Sequence, residues 1–365
     1  METRPLGQTG LSISLIGLGG GGLPNDDKTS AEVSHAFLKG GVNFVDTSPN
    51  YCGGESERRL GAALADVPRE SYVLQTKMGD EGAAYADVQN GGFSPFSRDG
   101  VLASVRRSLE LLRTKHIDTL LLHDPYADEL DAFLSKGGGM EAVRELKSSG
   151  IVKHFGCGAR EHEPHLRLLE ALGPNEFKVA QTVDDENPLR RFLDQLGLRA
   201  KLKENGVGII NAAPLYRGLL VNQPTAYHSV AGGSNGGTHS GVLGEHSGSH
   251  VELSTLASSM NEWCAAKSLS LTHLAVQWPI ARAGEDVVCS PYGCRNVEQV
   301  KGILDAASTP LPEGTWEAFD AEFDEKVKAL GPEKHFYWFK KQSADTKEWS
   351  EMSVYPRATW GASFV

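Results

Sequence analysis

Residues 14–30 read SLIGLGGGGLPNDDKTS, and what this stretch opens decides between two parallel-sheet folds. Gly17, Gly19 and Gly22 spell G-x-G-x-x-G after an apolar strand, and Asp46 closes the next strand where a ribose-binding acid would stand. In the doubly wound fold that uses this fingerprint, the last glycine opens a helix whose N-terminus meets a pyrophosphate. Here Leu23, Pro24, Asn25, Asp26 and Asp27 intervene before a helix cap expected at Thr29 or Ser30. The glycine run therefore reads as the top of a barrel strand, where Gly19 and Gly20 let a cofactor or substrate approach the backbone closely.

Outward from this point, short strand-like runs alternate with amphipathic stretches, the pattern of βα units around a parallel sheet. Eight strands are predicted: SLIGLG (14–19), NFVDT (43–47), YVLQTK (72–77), DTLLLH (118–123), KHFGCG (153–158), KVAQTV (178–183), GIINAA (208–213) and VVCSPY (287–292). The helical stretches between them are AEVSHAFLKGG, ESERRLGAALA, VLASVRRSLELLR, MEAVRELKSSG, EPHLRLLEALG, LRRFLDQLGLRAKLKENG and LTHLAVQWPIARAG, with NVEQVKGILDAAS last. The expected fold class is α/β, a closed (β/α)₈ TIM barrel over residues 1–330, with an N-terminal hairpin from TRPL and LSIS. Long loops follow the third and seventh strands, and an aromatic-rich tail at 331–365 is expected to pack on or near the barrel.

Composition narrows the function. With 36 Lys and Arg against 47 Asp and Glu, the net charge is -11, which excludes a generic nucleic-acid surface because phosphate binding needs concentrated basic residues. No run of ~18 apolar residues could span a bilayer, and METRPLGQTG lacks the apolar core of a signal peptide, so a cytoplasmic protein is expected. The five scattered cysteines read as reduced thiols, and Cys289 and Cys294 lack a second pair to complete a zinc site, so no metal is expected. The Gly- and Ser-rich stretch 228–250 carries four histidines at irregular spacing and reads as a flexible insertion rather than a metal site.

The strand ends carry the chemistry. Asp46 ends the second strand, Tyr51 follows it, Lys77 ends the third and His123 the fourth. Active sites of such barrels lie at the C-terminal ends of their strands, so these four residues converge at one mouth. A phenol with a pKa near ~10 exchanges protons poorly at neutral pH. A neighbouring ammonium favours its phenolate, a carboxylate keeps that ammonium charged, and a neutral imidazole can orient a substrate oxygen. Tyr51 is thus expected as acid/base, Lys77 as its tuner, Asp46 as the holder of Lys77, and His123 as the orienting group.

With these residues placed, the chain resembles the aldo-keto reductase superfamily from about residue 3 to about residue 330. The resemblance lies in FVDTSPNYCGGESERRLG, QTKMG, SLELLRTKHIDTLLLHDP, GVGIINAAPLYRGLL, HLAVQWPIA and GCRNVEQV. It implies Tyr51 as proton donor and acceptor, Lys77 and Asp46 as its partners, His123 as the orienting residue, and NADP or NAD as hydride carrier. HDP after the fourth strand with INAAP at the seventh is most similar to the aldose 1-dehydrogenase branch, implying oxidation of a free sugar at C1 to a lactone. A small-molecule substrate and a monomer or homodimer are expected, and NADPH-dependent aldehyde or ketone reduction is the alternative direction.

Several positions depart from the family pattern. Gly158 and Ala159 stand where many members carry Ser-Asn to hold the nicotinamide carboxamide, while Gln181 matches a carboxamide-contacting glutamine. Ala212 stands where an aromatic often stacks on the nicotinamide, so that stacking is either missing or supplied by Tyr216. In GCRNVEQV, Gly293 begins a phosphate-binding turn, Arg295 fits the adenosine 2′-phosphate, and Asn296 reaches the same group or caps the following helix. Gly302 and Ile303 replace a pair that often holds adenine, which leaves NAD or NADP open. Two other classes stand beside the oxidoreductase: a non-catalytic dinucleotide-binding barrel, against which the intact quartet weighs, and a non-redox proton-shuttling barrel, which Gly158 and Ala159 keep open. Phe93 and Phe96 are expected to wall the substrate pocket or pin their loop.

Overall fold

The computed structural model describes residues 1–79, 93–125, 127–195, 197–221 and 247–330. Contacts divide the chain into two units: Met1–Val183, Gly197–Ala212 and Glu285–Leu304 form the first, and Asp184–Leu196, Ala213–Gly284 and the residues from Asp305 onward belong to the second. The expected tail at 331–365 and most of the 228–250 insertion lie outside the described residues.

In the first unit, an antiparallel hairpin of β1 (Thr3–Pro5) and β2 (Ser12–Ser14) precedes the barrel. The barrel strands are β3 (Ile16–Gly19), β4 (Phe44–Asp46), β5 (Val73–Met78), β6 (Ile117–His123), β7 (Val152–Gly158), β8 (Phe177–Val183), β11 (Gly208–Ala212) and β12 (Val287–Tyr292). They close in chain order, all parallel, as the alternating pattern predicts. Closure buries the strands on both faces, which is why they read as near-continuous apolar runs.

Strand side chains alternate in direction, so Val73, Gln75 and Lys77 share one face of β5, and Thr119, Leu121 and His123 share one face of β6. Near the strand N-termini, Leu6 and Ile13 from the hairpin region join Phe44, Val73, Leu121, Val179 and Ile210 in one apolar cluster. Truncating such a side chain, Phe44→Ala for example, costs ~3–5 kcal/mol. At that same end Asp118 accepts from Arg69 Nη2 (2.6 Å), Lys153 Nζ (2.7 Å) and the Leu74 amide (2.8 Å). Charge at this end of a barrel serves stability.

Two expectations need correction. The first helix, α1 (Asp27–Lys39), starts earlier than Thr29 or Ser30, because the Asp26 carboxylate caps it by accepting from the Thr29 amide at 2.8 Å. Val33 and Phe37, one turn apart, bury its inner face. The stretch 189–206, read as one helix, is instead β10 (Arg190–Arg191) paired with β9 (Glu186–Asn187), a short helix Phe192–Gln195, and a second helix Leu198–Glu204. Gly197, in the left-handed region at φ 73°, separates the two helices.

The second unit contains the helices Ser247–Ala266, Leu271–Ala281 and Thr315–Lys328. Its core gathers Tyr216, Leu253, Met260, Leu274, Trp278, Phe319 and Phe323. Tyr216, one of the two options left for the stacking that Ala212 lacks, is fully enclosed there. The Arg191 guanidinium lies 4.5 Å and that of Arg282 5.2 Å from the centroid of the Trp278 ring, and Asp320 accepts from Arg282 at 2.7 Å. Among the described residues no helix is long and apolar enough to cross a membrane, no group of side chains suits a metal, and all five cysteines are free thiols.

Candidate active site

Strand register brings the site together. At the C-terminal ends, Gly19 pairs with Asp46, Asp46 with Gln75, His123 with Gly158, and Gly158 with Gln181. Residues far apart in sequence thus stand side by side, all within the first unit.

The Lys77 ammonium donates to Asp46 Oδ1 at 2.6 Å and to the Thr47 carbonyl at 2.9 Å, with both charged residues buried. Its Nζ also lies 4.6 Å from the centroid of the Tyr51 ring. Burial works against the ammonium, but Asp46 and Tyr51 outweigh it and hold Lys77 above its ordinary value. Burial also pushes the Tyr51 phenol up, and Lys77 opposes that rise without cancelling it. The lysine therefore tempers the phenol rather than driving it below its ordinary value.

His123 meets Tyr51 edge to face, with ring centroids 5.8 Å apart. Its Nδ1 lies 3.4 Å from Ser48 Oγ, and its Nε2 3.8 Å from Asp124 Oδ2. Asp124 occupies the left-handed region at φ 41°, which aspartate tolerates better than most residues. It is held by ion pairing with Arg160 and by the Arg160 amide, which donates to Oδ1 at 3.2 Å. The quartet is thus brought together, and Ser48, Asp124 and Arg160 join it.

Gln181 reaches the same centre. Gln75 Nε2 donates to Asp46 Oδ1 at 2.8 Å and to Gln181 Oε1, and Gln181 Nε2 stands 3.4 Å from Asp46 Oδ2. Sequence reasoning passed over Gln75, although its spacing of two from Lys77 on one strand puts it on the same face. A Cβ added to Gly158 would sit in ordinary van der Waals contact, its nearest neighbours being Leu121, Lys77 and Gln181 at 3.4, 3.5 and 3.9 Å, so a small side chain fits beside the lysine and the glutamine.

The remaining residues gather at the turn after β12. Gly293 packs on Gly22, where a Cβ on Gly22 would fall 2.4 Å from Gly293 Cα. The Asn296 carboxamide oxygen accepts from the Gln299 amide at 2.9 Å and so caps the helix Val297–Ser308. Arg295 is exposed, and among the described residues no carboxylate pairs with its guanidinium. A Cβ on Gly19 would meet the Tyr292 backbone at 3.0 Å, and one on Gly20 would meet Ser56 Oγ at 2.6 Å and the Asp46 carbonyl at 2.9 Å. The missing side chains of Gly19 and Gly20 are accounted for by the chain's own packing. Of the two phenylalanines in the loop after β5, Phe96 is buried and Phe93 exposed.

Comparison with known proteins gives the family and the fold. A model of the Aldo/keto reductase family matches residues 15–322. The chain is 30% identical to an L-galactose dehydrogenase of Arabidopsis thaliana, over 93% of this chain and 97% of that protein. It is also 30% identical to a D-threo-aldose 1-dehydrogenase of a Pseudomonas species, over 58% of this chain and 68% of that protein. Among solved structures, an aldo-keto reductase from Bacillus halodurans in its holo form aligns with a TM-score of 0.66 at 24% identity, covering 91% of this chain and 96% of that one, a likeness of fold.

Proposed function

The chain belongs to the aldo/keto reductase family, and from that premise we propose that this NAD(P)-dependent oxidoreductase oxidises an aldose at C1 to the lactone. One observation carries the reading: the Lys77 ammonium pairs with the Asp46 carboxylate and lies over the Tyr51 ring, beside His123. The relatives named for L-galactose and D-threo-aldose support the sugar as substrate.

The residues present fit a nicotinamide dinucleotide. The Gln181 amide beside Gly158 suits a carboxamide, and the exposed Arg295 guanidinium beside the N-terminus of the helix Val297–Ser308 suits a phosphate. When bound, the dinucleotide accepts or supplies the hydride. As the phenolate Tyr51 takes the proton of the sugar's anomeric hydroxyl, and as the phenol it returns it; Lys77 stabilises the phenolate, and Asp46 keeps Lys77 charged and aimed. His123 hydrogen-bonds the reacting oxygen and fixes its distance from the phenol.

The reverse reaction, reduction of an aldehyde or ketone, is favoured by one observation. Burial raises Tyr51, so at neutral pH the phenol is protonated and ready to donate. Steady-state assays with NADP and NAD against L-galactose, other aldoses and simple aldehydes, in both directions, test the reading. Sugar-dependent formation of reduced dinucleotide is expected; no change in nicotinamide absorbance with any pairing would overturn it.

A further inference from the structure

One fully buried side chain beneath the quartet is used by none of the steps above. Gln75 sits on β5 two residues before Lys77, facing the barrel interior, with no exposed surface. A carboxamide so enclosed is tolerated only when its donors and acceptor are occupied. Its Nε2 donates to Asp46 Oδ1 at 2.8 Å and to Gln181 Oε1, and its Oε1 accepts from Thr119 Oγ1 at 3.0 Å.

The direction of this chain of bonds follows from chemistry. An ionised carboxylate can only accept, so the amide nitrogen of Gln75 must face Asp46 and its carbonyl must face Thr119. The second hydrogen of that nitrogen then requires the carbonyl of Gln181, which turns the Gln181 NH₂ group toward Asp46 Oδ2 at 3.4 Å. That contact uses one of two N–H groups and leaves the other for a ligand. Were Gln75 apolar, Asp46 would lose a donor and the Gln181 amide would lose the group that fixes which of its ends faces the site.

We propose that Gln75 is a positioning residue that locks the Asp46 carboxylate and the Gln181 amide into one unit, so that the lysine–phenol pair and the carboxamide-binding glutamine are set together. The inference rests on the oxidoreductase reading given above. It concerns orientation alone, since Gln75 touches neither Tyr51 nor His123 in any described contact.

The test is a double-mutant cycle of Gln75→Leu and Gln181→Leu, read by fluorescence titration with NADPH and NADH, by kcat and KM for the sugar, and by thermal melting. Gln75→Leu is expected to raise the dinucleotide Kd about tenfold, to lower kcat about tenfold and to change the pH profile of kcat, while KM for the sugar stays within about twofold. The double variant is expected to bind the dinucleotide no worse than the weaker single variant, because Gln75 acts through Gln181. Thr119→Val, which removes only the hydroxyl that orients Gln75, should move the same quantities about threefold in the same direction, and it serves where Gln75→Leu does not fold. Additive losses in Kd, or a lowered melting temperature with Kd and kcat unchanged, overturn the inference alone. A wild-type protein that neither binds nor turns over the dinucleotide overturns the functional reading and this inference with it.

Discussion

Gly22 and Gly293 touch through their backbones: a Cβ on Gly22 would fall 2.4 Å from Gly293 Cα, and one on Gly293 would fall 2.6 Å from Gly22 Cα. The turns after the first and last barrel strands can come this close only because neither residue carries a side chain. No rotamer change relieves a clash between two main chains, so Gly293→Ala must push the turn bearing Arg295 away from the glycine run. It is expected to lower stability by ~1–3 kcal/mol and to weaken dinucleotide binding. Denaturant titration together with a fluorescence titration checks this, and wild-type values in both would contradict it.

Tyr51→Phe keeps the ring that Lys77 and His123 pack against and deletes only the proton-carrying oxygen. Turnover is expected to fall by ~10²–10⁴ while dinucleotide binding is retained. Lys77→Met is expected to behave differently, because it leaves the buried Asp46 carboxylate without its ammonium partner and costs ~3–5 kcal/mol of stability besides turnover. Since burial raises the Tyr51 pKa and Lys77 only tempers the rise, phenolate becomes more abundant as pH climbs. Oxidation should therefore accelerate from neutral to alkaline pH, while reduction holds until pH approaches the raised value and only then slows. Initial rates in the two directions across that range are the check, and parallel profiles would remove Tyr51 from its role.

Glu57, in the helix Ser56–Ala63, is fully buried, accepts from Thr76 Oγ1 at 2.6 Å, and is pushed up to about 7 by burial, with the Thr76 and Ser108 hydroxyls opposing. In the unfolded chain a glutamate titrates near ~4.3, so between that pH and about 7 the folded state binds a proton the unfolded state has lost. Stability from this group is complete at acid pH and declines as pH rises through that window. Glu57→Gln keeps an acceptor for Thr76 and removes the titration. It should flatten the decline and exceed the wild type at pH ~8 by up to ~3 kcal/mol. Melting curves at several pH values decide the matter; parallel slopes for the two proteins would refute it.

The barrel was legible because each strand is short, apolar and bounded by polar or glycine-rich turns, and because a closed parallel sheet imposes that pattern eight times. The convergence of Asp46, Tyr51, Lys77 and His123 was legible because each stands at or just after the end of a strand, and parallel strands carry such positions to one mouth. Gln75 and Arg160 were not, since both act by pairing with residues distant in sequence, and such pairing is fixed by register. The cap at Asp26 and the break at Gly197 were misread for a related reason: two neighbouring residues could each cap α1, and a glycine amid helix formers shows its φ only once the chain is packed. Gly19 and Gly20 show the limit most directly, because a glycine required by a ligand and one required by a neighbouring strand look alike in sequence.

Gly156 and Gly158 on β7 share a face of that strand, yet their surroundings differ sharply. A Cβ on Gly156 would fall 2.1 Å from the Val179 carbonyl, whereas one on Gly158 would have its nearest neighbour, Leu121 Cδ1, at 3.4 Å. Serine at 158 thus fits, and its hydroxyl would lie beside Lys77 and Gln181. Gly158→Ser is expected to keep wild-type stability and tighten dinucleotide binding by about threefold to tenfold, a gain of the size of one hydrogen bond. Gly156→Ser, the control, should destabilise the protein by ~1–3 kcal/mol because a strand carbonyl must move. If the two variants lose stability alike, the space at Gly158 is not open and the carboxamide site must be sought elsewhere on the barrel rim.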